Sequence, residues 1–366
     1  MENIKWLLEN SGPAIKLRML NEGLINKNIC DINELANELL QIEKIKTALT
    51  YFDQFKDFLS IPDRQLWGLV HNCYENCFEM FMPFFIHIGF GKGIKVFDEK
   101  IEIMRPVYQY LMETYAFHGL NIIMLLLETG YCFDDIEEYV IERIDKIHKI
   151  AAAQIFDIYE TDVSKIRQSN KWKDKLILKD RHTENLGGEF PLPLGYDIML
   201  LMRFYKYIKD DTVKQQVYDI MDYIMNPEYQ EKIGGNYGWH WAKRENTYHA
   251  GSWGWTTPIY GGDNSESDIK WFSLGNMEKM SFPSMMAKSD YFKKCLNYLE
   301  RYKTERGTYI FPQEYIGAVK YGGASVAPNL LLSQDVLSTL KRNDKKELMH
   351  EVYSTFFMAK MKNRIE

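Results

Sequence analysis

Apolar residues recur at helical spacing along most of the chain, and three times a stretch that is apolar nearly all round gives way to one that is apolar on a single side. Leu120 to Leu127 is followed, after Thr129-Gly130 and Asp134-Asp135, by Ile136, Val140, Ile144 and Ile147 on one stripe. Tyr196 to Ile208 is followed, after Asp210-Asp211, by Val213, Val217, Ile220, Met221 and Ile224. Trp271 to Met286 is followed, after Ser289-Asp290, by Phe292, Cys295, Leu296 and Leu299. Asp135, Asp211 and Asp290 fall at the expected helix caps and stand 76 and 79 residues apart. A helix buried all round alternating with one exposed on one side predicts stacked inner and outer helix pairs. Upstream, residues 1–60 read as a helical lead-in: Ser11-Gly12-Pro13 marks a helix start, and Leu17, Leu20 and Leu24 keep helical spacing. Two more helices are expected, from Asp63 to Met82 and from Phe97 to Tyr115.

One stretch breaks the pattern. Gln230 to Asp263 holds half of the chain's 8 tryptophans and two of its 8 histidines between repeated glycines. Glycines there interrupt any helix and let backbone approach a ligand closely, while Tyr237, Trp239, Trp241, Tyr248, Trp253 and Trp255 supply apolar faces with polar edges. This stretch is expected to be an ordered aromatic loop closing one end of a helical scaffold. Loops with glycine or aromatics also follow the other helix pairs, at 187–191 and 306–312.

Helix pairs joined by such loops resemble the α/α toroid of squalene-hopene cyclases and protein prenyltransferases, with their QxxxGxW repeats. Gln230 to Gly234 keeps the first half of that repeat, and Lys303 to Tyr309 keeps Gly307 with Tyr in place of Trp. Similar to short bacterial members are Pro13-Ala14-Ile15-Lys16-Leu17-Arg18, the passage from Phe190-Pro191 to Tyr196-Asp197, and Leu337 to Arg342. The resemblance covers most of residues 119–342 and implies an all-α toroid with a helical N-terminal lead-in, the 366 residues forming a single domain. The catalytic residues of those families do not carry over, because the chain has neither a DxDD tetrad nor an Asp-x-Cys pair with a distant His.

A net charge of −6 and a pI of about 5.9 give no broad attraction for phosphate backbones, so nucleic acid is not an expected partner. The N-terminus lacks the pattern of a secretory signal, and the apolar run from Phe78 to Phe90, interrupted by Glu79, Pro83 and His87, is too short to span a bilayer. A cytoplasmic protein is expected. Its five cysteines (Cys30, Cys73, Cys77, Cys132 and Cys295) are odd in number and widely spaced, which fits reduced thiols rather than a disulfide framework.

Three groupings carry possible chemistry. His71, Cys73 and Cys77 fall on one expected helix, but without paired CxxC knuckles they read as packing rather than as a zinc site. Asp134 to Glu138 matches the DDxxE pattern by which class I terpene synthases hold magnesium diphosphate. At a helix start, however, acids cap free N–H groups and oppose the dipole. Neither a metal nor a cofactor is implied. In and beyond the aromatic stretch, His240, His249 and Tyr248, with Asp263 and Glu266, form the candidate proton-transfer set. Tyr237, Trp239, Trp241, Arg244, Trp253, Trp255 and Trp271 form the candidate ligand surface. The same residues also read as helix stitching, with Asp268 as a cap of the next helix. Three function classes follow: an enzyme acting on an apolar or aromatic small molecule by proton transfer, possibly by cyclisation or rearrangement; a carbohydrate-active barrel hydrolase or lyase with aromatic platforms; and a non-catalytic binding scaffold. Inner helices poor in polar residues favour the first over the second.

Overall fold

The computed structural model describes residues 2–72, 74–114, 116–158, 192–193, 195–233, 238–243, 246–252, 274, 277, 290–316, 320–321, 324–325, 328–332 and 340–364. The helices are α1 (Glu2–Asn10), α2 (Pro13–Asn21), α3 (Ile32–Leu39), α4 (Glu43–Thr50), α5 (Asp63–Val70), α6 (Phe78–His87), α7 (Lys95–Thr114), α8 (Ala116–Glu128), α9 (Asp134–Ala152), α10 (Gly195–Phe204), α11 (Asp211–Met225), α12 (Pro227–Lys232), α13 (Asp290–Glu300), α14 (Gln313–Ile316) and α15 (Arg342–Asn363). Two antiparallel ribbons join them, β1 (Gly238–Lys243) with β2 (Asn246–Ser252) and β3 (Lys320–Tyr321) with β4 (Ala324–Ser325). The described chain is thus helical apart from these ribbons. It divides into two compact units, one of residues 1–114, 118–131 and 269–366, the other of 115–117 and 132–268.

In the first unit the sequence Ser11-Gly12-Pro13 does start a helix: Gly12 is the N-cap of α2 and Pro13 its first residue, where a missing N–H costs nothing. Leu17 and Leu20 are buried on α2, while Leu24 lies past its end. Gly12 is required by close approach, since a Cβ there would stand 2.4 Å from the carbonyl oxygen of Leu332. At the same point the Gly12 N–H donates to Leu331 at 2.9 Å. A phenylalanine cluster fills the space between the 3₁₀ turn at Tyr51–Phe55, α6 and α7. Phe52 meets Phe81 at 4.9 Å, and Phe85 meets Phe97 at 5.2 Å. Each fully buried ring contributes roughly 1.5–3 kcal/mol.

The organising helix of this unit is α15, which hydrophobic spacing alone did not mark. It is polar in composition, yet Glu351, Ser354, Thr355 and Lys360 are buried with Val352, Phe356, Phe357, Met358 and Met361. The buried polar groups have partners. Ser354 and Thr355 accept the backbone N–H groups of Phe311 (2.9 Å) and Tyr309 (3.0 Å), and Glu351 accepts from Arg306 at 2.7 Å and from the Thr308 hydroxyl. The Gly/aromatic loop at 306–312 is therefore a stitch that docks on α15. Its turn needs Gly307 at a φ of 85°.

The single helix expected from Asp63 to Met82 is two. After α5, His71 turns extended, and the Cys77 thiol donates to the Val70 carbonyl at 3.0 Å while taking the Asn72 N–H at 3.0 Å. Side chains that bond neighbouring backbone groups compete with the helix ladder, and here they end it.

In the second unit α9 keeps its expected stripe: Ile136, Val140, Ile144 and Ile147 are all buried. On α11, Val217, Ile220, Met221 and Ile224 are buried and Val213 is half-buried. The expected caps shift. Phe133, with no side-chain bond, is the N-cap of α9, so Asp135 lies within the first turn. Asp210 rather than Asp211 caps α11, accepting the Thr212 N–H at 2.7 Å. The inner stretch expected to run to Ile208 stops being α-helical at Phe204 and tightens to a 3₁₀ turn over Tyr205–Tyr207.

The burial contrast between inner and outer helices holds where both are described. Leu120 and residues 122–127 of α8 are buried throughout, whereas α9 buries one side; α10 likewise buries Ile198, Leu200, Leu201, Met202 and Phe204 ahead of one-sided α11. Of the third inner stretch, Trp271 to Met286, only Leu274 and Met277 lie within the described residues, and the side chains of α13 described as buried are Phe292, Cys295 and Leu299. The loop at 187–191 lies outside the described residues.

Candidate functional site

The aromatic stretch begins from a fixed point. Asn226 caps α12 by accepting the Glu228 N–H at 2.8 Å, and buried Tyr229 packs edge-on against Tyr223 at 5.1 Å. Tyr223 in turn stacks on Phe156 at 5.2 Å. Gln230, the first residue of the QxxxG echo, is buried and donates its amide to the Ile224 carbonyl at 2.5 Å. Carbonyls in the last turn of a helix lack intrahelical partners, so this glutamine closes the end of α11. Half of the repeat motif is thus accounted for by stitching.

Beyond it, the expected loop is a β-hairpin. Trp, Tyr and Thr suit a pleated strand, and the pairing runs Lys243 with Asn246, Ala242 with Thr247, Trp241 with Tyr248 and His240 with His249. A bulge between Gly238 and His240 restores pairing at Gly238 with Ser252, so Trp239 occupies the irregularity. Successive strand residues alternate between faces. His240, Ala242, Thr247 and His249 therefore share one face, and Trp241, Lys243, Asn246 and Tyr248 share the other. Residues directly opposed in an antiparallel ladder have Cβ atoms roughly 4.5–5.5 Å apart. The fold brings together two histidines separated by nine positions and sets Tyr248, expected beside them, across from Trp241 on the other face. Tyr237, Arg244, Trp253, Trp255, Asp263, Glu266 and Trp271 lie outside the described residues.

No protein family, curated protein or solved structure matches the chain. Site geometry therefore carries the functional argument.

The other groupings resolve differently. At the α5–α6 corner, Cys77 is fastened to backbone groups and burial pushes its thiol up to about 11, while His71 pairs with Glu79 instead of sharing a helix face with Cys77. Cys73 lies outside the described residues. Asp134, Asp135 and Glu137 fill the first turn of α9, where they oppose the helix dipole. Among the described residues no group of three or more His, Cys, Asp and Glu is arranged to hold a metal ion, and no helix is long and apolar enough to cross a membrane. An open groove between Pro13, Leu39, Ile42, Leu330 and Leu332 in the first unit holds none of the candidate residues.

Pattern reading passed over a buried ion pair in the second unit, Arg143 with Asp197. Asp197 stands within the Phe190 to Asp197 passage noted above, but Arg143 had no signal beyond being a charge on the apolar stripe of α9.

Proposed function

We propose that the chain is an enzyme that binds an apolar or aromatic small molecule and moves protons on it by acid/base catalysis, with cyclisation or rearrangement as the reaction class and a cytoplasmic setting. The ribbon 238–252 is its catalytic element, and the helix pairs stack as a toroid of the cyclase and prenyltransferase kind. The observation that carries the reading is the pairing of His240 with His249. One imidazole of the pair is the proton donor and the other the acceptor, in either order. Support for an apolar ligand over a carbohydrate comes from α8 and α10, where the buried side chains among the described residues are apolar apart from Asn121 and Asp197.

The test needs no substrate. Imidazole titration followed by NMR in the wild type, His240→Gln and His249→Gln reads the pair directly. Two coupled groups lose protons in separate macroscopic steps, so removing either histidine raises the apparent pKa of the survivor. Two independent titrations, each unmoved by loss of the other ring, would overturn the reading.

A further inference from the structure

In the first unit α2 and α15 lie side by side, and their side-chain contacts advance together by four residues. The Arg18 guanidinium lies over the Phe356 ring, 4.5 Å from its centroid. One turn further along both helices Glu22 meets Lys360 at 2.7 Å, and then Arg364 at 2.8 Å. The carboxylate in this row thus faces two cations, and Arg18 has no share in it. Arg18 makes no side-chain hydrogen bond or ion pair among the described residues, and its Nη1 is shut off from water without a partner.

That arrangement asks for an anion. A buried histidine or lysine can shed its proton, but a guanidinium cannot, so an unmet N–H on it retains the full cost of a desolvated charge. The Phe356 ring lies against the guanidinium, and a carboxylate or phosphate can take two N–H bonds from such a group at once. Arg18 as a residue is half-buried, not fully enclosed. Its backbone is held in place: a Cβ on Gly89 would come within 2.6 Å of the Leu17 Cβ and 2.8 Å of the Arg18 nitrogen, so the turn after α6 presses directly on α2. His87, buried at the end of α6, stacks on Tyr353, which lies three residues before Phe356 on α15.

We propose that Arg18 anchors the oxyanion group of a ligand, a carboxylate or a phosphate, over Phe356 at the α2–α15 seam. The site belongs to the first unit and does not depend on the histidine ribbon of the second.

Thermal unfolding and calorimetric titration of the full chain at constant ionic strength, with inorganic phosphate and pyrophosphate in one arm and succinate in the other, test this against a sodium chloride control. The expected result is a Tm that rises and saturates with one class of probe, which also identifies the source of the oxyanion. Affinity should fall roughly tenfold in Arg18→Lys, which keeps the charge and loses the two-pronged edge, and should vanish in Arg18→Met. Phe356→Leu, which leaves the charge in place, should weaken binding less than Arg18→Met and serves if the latter does not fold. No saturable rise with either class, or equal binding by wild type and Arg18→Met, overturns the assignment.

Discussion

Arg143 and Asp197, 54 positions apart, meet as a two-pronged ion pair with side chains only 4% and 0% exposed, Nε donating to Oδ1 at 2.9 Å and Nη2 to Oδ2 at 2.6 Å. Nη2 also donates to the Leu192 carbonyl at 3.2 Å. One guanidinium thereby ties α9 to the first turn of α10 and to the segment before it. Taking two charges out of water is costly, and the pair is held because each partner satisfies the other. Asp197→Ala removes the carboxylate that takes two N–H groups of a buried cation and should destabilise the fold by about 3–5 kcal/mol in urea unfolding. Replacing both residues by apolar ones, Arg143→Met with Asp197→Leu, should recover most of that loss. A single variant within about 1 kcal/mol of wild type would remove the pair from the account of this unit.

The cap assignments make a paired prediction. Asp210 accepts the Thr212 N–H, and that backbone bond holds its carboxyl below the usual carboxylate range; Asp211 lies inside the helix. Asp210→Ala should therefore lower Tm more than Asp211→Ala, and its effect should shrink as pH falls and the wild-type carboxyl protonates. In α9, where Phe133 is the N-cap, Asp134→Ala removes only a charge opposing the dipole, about 0.3–1 kcal/mol, with no magnesium dependence. Equal losses at 210 and 211, or a magnesium-dependent activity lost with Asp134, would contradict these roles.

Helices with a clean stripe were legible from sequence because burial on one side leaves a period. Ile136, Val140, Ile144 and Ile147 fall where spacing puts them. What spacing could not show is where a side chain takes over the work of the backbone. Cys77 and Asn72 divide one expected helix into two. α15 hides a buried helix behind a polar sequence because Glu351, Ser354, Thr355 and Lys360 find their partners far along the chain, at Thr308, Phe311, Tyr309 and Glu22. At the candidate site the residue types stood out at once, but their pairing did not. Glycine spacing suggested a loop, and only the strand register shows that His240 faces His249 while Tyr248 faces Trp241.

Gly12 tests how tightly the first unit closes. The Ser11–Leu332 bridge and the Gly12 N–H bond hold 330–332 against the start of α2, and a methyl group at residue 12 would overlap the carbonyls of Leu332 and Leu330, 2.4 Å and 2.8 Å away. Both contacts are backbone, so neither can swing aside. Gly12→Ala should cost about 1–3 kcal/mol as an overpacking change, whereas Gly93→Ala, where a Cβ meets nothing within 4 Å, bears only the strain of a φ of 99°. Native-state proteolysis near 330 should rise in Gly12→Ala and not in Gly93→Ala; the reverse order would show that the 330–332 contact is not what closes this face.

His71 and Glu79 set a pH dependence at the corner between α5 and α6. The hydrogen bond that His71 donates to the Glu79 carboxylate raises the His71 pKa above its ordinary value and outweighs desolvation, which acts the other way. A histidine whose folded pKa lies above the unfolded one adds stability that is complete below the unfolded value, near 6.5, and is lost as pH rises through the folded value. Wild type should therefore lose stability at this corner above about pH 6.5. His350 runs oppositely, its pKa lowered by burial and then by Lys346, so it costs stability as pH falls below the same range. Subtracting one profile from another separates the two. The difference in Tm between wild type and Glu79→Gln, which keeps the size of the side chain and removes its charge, should be largest near pH 5.5 and should narrow steadily toward pH 8.5, with His350 cancelling because both proteins contain it. A difference that is flat across this range would mean that the pair carries no linked proton. One that widens with rising pH would reverse the sign of the His71 shift.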